Sequence, residues 1–353
     1  MNIEANNLDT LRKLVRDLQT ENRRLKELLT ENQVSFEETD VFACTPQVPD
    51  EFDPDQASLI EPFPISDAVA NKFFSMFWGR QDVFARRGKS GGYFPQCKNR
   101  WDAAVCPKQN GQPKFVCNAC VHQNYERLEL RHIKQHLLGT RENCTDVIGI
   151  YPLLPDNTCR FLVFDFDNHE KGADQQDNAN LDDAWRDEVD ALRRICEMNG
   201  INALTERSRS GRGAHVWIFF NQPIPASLAR QFGLALLDKG CESINLTSFR
   251  FYDRMYPTQD SVGQLGNLVA LPLQGQALKT GNSAFVDRAW NAYPEQLEIL
   301  WSVKRLGRED LEQKLAQWTM ERSGSQAAMS FLQRGERLKP WKREDVFHAE
   351  DVT

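Results

Sequence analysis

The chain has 353 residues, 41% of them hydrophobic, with a formal net charge of −7. This length permits two domains or one large domain with extensions, and the apolar content supports a true core. The acidic balance excludes a globally basic nucleic-acid binder, so any such site must be a local patch; no apolar run is long enough to span a bilayer, and no secretory h-region is present.

Residues 8–32 carry a heptad, with Leu8, Val15, Asn22 and Leu29 at position a and Leu11, Leu18, Leu25 and Asn32 at d. That pattern predicts a parallel coiled-coil homodimer, the alternative being an amphipathic helix packed on its own domain or on another protein. From Asn32 to Asn71 there is no Lys or Arg, while acids and prolines dominate, so an extended acidic linker is expected.

Nine cysteines without a signal peptide argue for a reducing, cytoplasmic compartment and for metal binding or free thiols over disulfides. Cys97, Cys106, Cys117 and Cys120 are grouped, and the last two have the two-residue spacing that lets both thiolates meet one tetrahedral ion. A structural Zn²⁺ on these four would order a segment poor in core residues; a redox pair is the alternative. His122 is a substitute ligand. His132 and His136 lie on a predicted helix over 125–138 and read as surface or packing residues. Arg80, Arg86, Arg87 and Lys89 interleave with Phe77, Trp78, Phe84 and Tyr93. Such a mixture either stacks bases and holds phosphates or forms a small apolar cluster with solvated charges.

Phe161-Leu-Val-Phe-Asp-Phe-Asp167 reads as a strand. Alternation puts Asp165 and Asp167 on one face, their Cα atoms roughly 6.5–7 Å apart, with Leu162, Phe164 and Phe166 on the other. Two carboxylates at the end of a buried strand suit one or two hard cations, Mg²⁺ or Mn²⁺. The alternative is a pair of aspartates that opens the polar loop 168–182. A helix is expected over 183–199. Ser208–Gly213 is a basic, glycine-containing turn of the kind that offers backbone N–H groups and arginines to phosphates. His215 then opens a strand, closed by Pro223 and Pro225, with a phosphate contact favoured over a structural role. A helix over 226–239 and a buried strand over 268–271 follow. Asp260 or Asp253, beside that strand, is the candidate third carboxylate, and Lys279 is a cation at a turn. Helices are expected over 294–303 and 308–319, then a polar tail.

In this order, Phe164-Asp165-Phe166-Asp167, Ser210-Gly-Arg-Gly-Ala-His215 and the Asp260 region resemble the Asp-x-Asp, Ser-x-His-type and later Asp motifs of the archaeo-eukaryotic primase superfamily. The runs Ser-Arg-Ser-Gly-Arg-Gly-Ala-His-Val-Trp-Ile-Phe-Phe, Pro-Thr-Gln-Asp and Gly-Asn-Leu-Val-Ala-Leu-Pro-Leu-Gln resemble the primase-polymerases of TOTE conflict systems and CRISPR-associated loci more closely. Ile150-Tyr-Pro-Leu-Leu154 and the four cysteines fit as well, and the resemblance covers residues 70–305. There are two departures. TOTE proteins commonly continue into a helicase and a nuclease, and no P-loop is found here, so a stand-alone protein or part of a larger assembly is expected. Ser210 also lies further from His215 than the tight Ser-x-His spacing.

The resemblance implies an α+β fold: a primase-like core of sheet flanked by helices, with a small zinc module and the N-terminal coiled-coil helix. The corresponding divisions are 1–33 coil, 34–70 linker, 71–150 zinc module and start of the core, 151–305 catalytic core, and 306–353 helix and tail. It implies template-directed nucleotidyl transfer with two Mg²⁺ or Mn²⁺ ions on Asp165, Asp167 and Asp260. Ser210, Arg212, His215 and Lys279 would meet the nucleoside triphosphate, Arg207 and Arg209 would contact phosphates nearby, and Arg86, Arg87 and Lys89 would contact nucleic acid. The implied partners are single-stranded DNA template and primer, with helicase, nuclease or Cas adaptation proteins as further candidates. Two other classes compete: a metal-dependent nuclease or phosphodiesterase, which would shorten DNA, and a non-catalytic nucleic-acid scaffold, indifferent to loss of Asp165 and Asp167.

Overall fold

The computed structural model describes residues 60–111, 117, 120–141, 143–168, 179–243, 249–263 and 265–324. The heptad over 8–32, the part of the expected 34–70 linker up to residue 59 and the tail beyond 324 lie outside the described residues; the end of that linker is not extended, because a helix begins at Asp67 and Phe63 and Ile65 pack on the core. The chain divides into a unit over Met1–Asp53 and one over Pro54–Thr353, and all the described residues belong to the second.

The helices are α1 (Asp67–Met76), α2 (Leu130–Leu138), α3 (Ala179–Met198), α4 (Ala226–Ser243), α5 (Gly275–Leu278), α6 (Gln296–Ser302) and α7 (Arg308–Gly324). The strands are β1 (Ala85–Arg87), β2 (Tyr93–Pro95), β3 (Ile148–Ile150), β4 (Thr158–Asp167), β5 (Leu204–Arg207), β6 (Gly213–Pro225), β7 (Tyr252–Tyr256), β8 (Val269–Ala270) and β9 (Ala284–Phe285). They form two sheets, β2-β1-β3-β8 and β7-β4-β6-β5-β9, antiparallel at every pairing. The expected mixture of helix and sheet is therefore observed. The smaller sheet takes β1 to β3 from the first half of this unit and β8 from the second.

Strand alternation builds two cores from one sheet. Leu162, Phe164 and Phe166 of β4, with Val216, Ile218 and Phe220 of β6, pack against Trp185, Val189 and Leu192 of α3, Phe232 and Leu236 of α4, and Trp318 of α7. Phe161 and Val163, with Trp217 and Phe219, face the other way. They meet Phe73 and Phe77 of α1, Ile133 of α2, Ile148 of β3 and Leu300 of α6. Asp165, Asp167 and His215 continue this second face, at the end of β4 where the apolar run stops.

Local chemistry sets the element ends. The Ser66 hydroxyl caps α1 by accepting from Val69 N at 3.2 Å. Helix α2 is shorter than the periodicity predicts; Glu129 caps it, and it stops at Gly139, left-handed at φ +57. A Cβ at Gly139 would stand 2.0 Å from Gln276 N, so the same residue also lets α2 meet α5 closely. Strand β6 includes Pro223 and ends at Pro225, as expected. The β5 pairing ends at Trp217 and the bridge to Leu306 at Phe220, so among the described residues both prolines occupy an edge where no second ladder needs their N–H. No described helix is long and apolar enough to cross a membrane.

Candidate active site

The centre of the site is the register of three strands. Asp165 stands opposite His215 on β6, and Asp167 opposite Gly213. On its other side, β4 pairs with β7 through a bulge: Asp165 matches Arg254 and Phe166 matches Tyr252, leaving Asp253 as the extra residue. A bulge re-aims one side chain without breaking the sheet, and here it brings a third acid beside Asp165. Glu188 on α3 anchors the approach to that strand. Its buried carboxylate accepts from Phe251 N at 2.8 Å and from Arg250 N, while Asp167 N donates to Phe251 O at 2.9 Å.

His215 is gripped from behind. Its Nδ1 lies 2.9 Å from Glu206 Oε2, and its Nε2 lies 3.5 Å from Asp165 Oδ1. Glu206 is 2% exposed and also accepts from Trp217 Nε1 at 2.9 Å and from the Ser283 hydroxyl at 3.4 Å. Burial opposes charge on the imidazole, but the Glu206 and Asp165 carboxylates outweigh it and raise its pKa to about 9, so His215 is a cation at neutral pH. Burial, with Asp253 and Asp167 adding like charge, pushes the Asp165 carboxyl up against the pull of His215 and Arg254. The Tyr256 hydroxyl donates to Asp165 Oδ2 at 3.5 Å, and Asp253 pairs with Arg254 at 2.7 Å.

The basic turn closes partly on itself. Gly211 N donates to Ser208 O, and Arg212 N to the Ser210 hydroxyl at 3.4 Å, so these two N–H groups are turned inward. The turn abuts β4: a Cβ on Gly213 would lie 2.2 Å from Phe166 O. Ser210 and Arg212 are exposed. Arg209 lies near the Tyr93 hydroxyl of β2 and pulls against the burial that pushes it up to about 12. Arg207 turns to the carbonyls of Gly281, at 3.2 Å, and Trp290, and so clasps two loops. Lys279 follows α5 and donates to Gln276 Oε1 at 3.0 Å; its loop reaches the turn where Ser283 N meets Ser208 O.

The remaining predicted residues are spread out. Asp260 pairs with Arg230 at 2.7 Å and is 61% exposed; of the two acids left open by the sequence, Asp253 is the one beside Asp165. Arg86 donates to Gln135 Oε1 and Arg87 to Asn143 O, both at 2.9 Å, while Lys89 is exposed in the β1–β2 turn. Phe77 and Phe84, interleaved with those cations, are fully buried. Cys97, Cys106, Cys117 and Cys120 are free thiols lining one cavity of about 210 Å³. Among the described residues, no group of three or more His, Cys, Asp or Glu side chains is arranged to hold a metal ion, at the cysteines or at the aspartates. The donor types nevertheless fit: four sulfurs lining one cavity suit Zn²⁺, and the carboxylate oxygens of neighbouring strands suit Mg²⁺ or Mn²⁺. Sequence reasoning passed over Glu206, Tyr256 and Arg254, and the signal for Glu206 was its place opposite His215 across an unassigned strand pair.

A family model described as the archaeo-eukaryotic primase domain of TOTE conflict systems matches residues 68–314. No curated protein matches the chain. Among solved structures, the polymerase domain of Mycobacterium tuberculosis ligase D in complex with DNA is similar at 15% identity and a TM-score of 0.35, covering 71% of this chain and 86% of that one. At that score the likeness carries no weight for function.

Proposed function

Since the chain belongs to the archaeo-eukaryotic primase family of TOTE conflict systems, we propose that it is a template-directed nucleotidyltransferase that adds nucleotides to a DNA strand. The observation that carries the reading is the meeting of Asp165, Asp167 and Asp253 on adjacent strands beside a charged His215 and a basic turn. In this reaction a strand-terminal 3′-hydroxyl attacks the α-phosphorus of a nucleoside triphosphate; the new O–P bond forms as the bond to pyrophosphate breaks. The three aspartates would hold divalent ions, which when bound activate the hydroxyl and neutralise the leaving pyrophosphate. His215, kept cationic and oriented by Glu206, would face the triphosphate. Ser210 and Arg212 on the turn, with Lys279 on the neighbouring loop, would complete its grip. Arg209 would set the turn against Tyr93. Arg207, spent on two backbone carbonyls, would act as a strut, and Asp260 would serve Arg230 and not the metal.

The test is primer extension and unprimed synthesis on single-stranded DNA, with Mg²⁺ or Mn²⁺ and either deoxy- or ribonucleotides. Template-dependent products are expected, abolished in Asp165→Ala/Asp167→Ala and in Asp253→Ala but kept in Asp260→Ala. Activity surviving the double substitution would sink the assignment, and shortening of the DNA would indicate a nuclease. The cysteine cluster would hold one structural Zn²⁺, expected as one equivalent per chain by elemental analysis and lost in Cys117→Ser/Cys120→Ser. A metal-free wild type would end that part of the reading.

A further inference from the structure

Trp101 is 78% exposed but is fixed in place. It ends the 3₁₀ turn Lys98–Trp101, which is tied down by Lys98 N donating to Asn124 O at 2.8 Å. The Arg100 guanidinium lies 5.1 Å from the Trp101 ring centre and 5.1 Å from the Phe94 ring centre, and Lys108 Nζ lies 5.8 Å from the same Phe94 ring. Two rings and two cations therefore form one short stack, with Lys98 exposed beside it. From Phe94 to Lys108 the chain carries Lys98, Arg100 and Lys108 against Asp102 alone, whose Oδ1 is engaged by Ala104 N, within a chain of net charge −7.

An indole left in water is unfavourable, and one held in register by a guanidinium is a prepared surface. We propose that this surface binds an unpaired nucleic-acid strand, with Trp101 stacking on a base and Lys98, Arg100 and Lys108 meeting the phosphates. Base stacking asks for an open ring face set among cations, and every base supplies a partner face. The Trp101 ring stands among Lys98, Arg100 and Lys108, which suits a polyanion better than an apolar protein surface. A duplex does not qualify, because its base faces are already stacked on one another. Neighbouring residues of β2 link this surface to the candidate active site: Phe94 joins the stack, and Tyr93 meets Arg209. Calling the bound strand the template rests on the proposed function, whereas the binding itself does not.

The test is fluorescence anisotropy of a labelled single-stranded DNA oligonucleotide with the full chain. Trp101→Ala is expected to weaken binding about tenfold and Trp101→Phe to recover most of it. Lys98→Ala/Lys108→Ala should flatten the dependence of log Kd on log salt by about 1.4. Unlabelled duplex of the same sequence should compete poorly. Wild-type affinity in Trp101→Ala, or equal competition by duplex, would overturn the proposal. Binding by the wild type without polymerisation would refute the proposed function alone. Polymerisation with unchanged binding in Trp101→Ala would refute this inference alone.

Discussion

Glu206 does the work of three partners at once. It accepts from Trp217 and Ser283 and lies against His215, all from a position with almost no solvent contact. Removing such an acceptor strands the groups that pointed at it. Glu206→Ala is expected to cost about 2–3 kcal/mol of stability, read as a lower urea midpoint at unchanged slope, whereas Glu206→Gln, which keeps an acceptor of the same shape, should lose less. That Asp165 and Asp167 share a face was legible in the sequence, because alternation along a strand is a local property; His215 joins them only through the register of β6. Glu206 was not: a lone acid in Leu-Thr-Glu-Arg resembles solvated surface until the register sets it opposite His215. The choice between Asp253 and Asp260 was illegible for a related reason. Both are single acids near a strand, and a bulge, which leaves little trace in composition, decides which one meets Asp165.

Helix α2 carries two buried histidines, His132 and His136, which the sequence left as surface or packing residues. Both are locked neutral. His136 Nδ1 accepts from Ile148 N at 3.2 Å while its Nε2–H donates to Pro272 O at 2.8 Å; His132 Nδ1 accepts from Glu129 N at 3.1 Å. Burial lowers each pKa to about 4, helped at His132 by Arg86 and Arg131 and resisted at His136 by the Pro272 carbonyl and Asp146. Since the unfolded chain protonates near pH 6.5, it gains protons first as the pH falls. The contribution of these two histidines should therefore be level above about pH 6.5 and decline towards pH 4, by up to about 3 kcal/mol for each. Chemical unfolding at a series of pH values should show this decline, and His132→Gln/His136→Gln should flatten it. The longer elements were readable from periodicity: the helices expected over 183–199, 226–239 and 308–319 appear as α3, α4 and α7 with shifted ends. Strands β1, β2 and β3 were not, since three residues are too few to show a period and only their partners define them.

Across the whole molecule, the five-stranded sheet serves two cores and a site with a single alternation. One side of β4 feeds the α3–α4–α7 layer; the other begins as Phe161 and Val163 between the sheets and ends as Asp165 and Asp167. The cysteine segment obeys a different logic. Its grouping was legible as spacing, but spacing shows neither the cavity that the four thiols share nor the exposed Trp101 next to them. The alternation of β4 also sets a rule of parity on how this chain can change. A single residue gained or lost between Val163 and Asp165 exchanges carboxylate for phenylalanine on both faces, placing charge in one core and an aromatic in the site, whereas two residues restore the sides and only displace the acids along the strand. A library of insertions and deletions in β4, sorted for folded protein by protease resistance, should accordingly recover even-length changes well above odd ones. The lineage of such a site can drift in steps of two and is barred from steps of one.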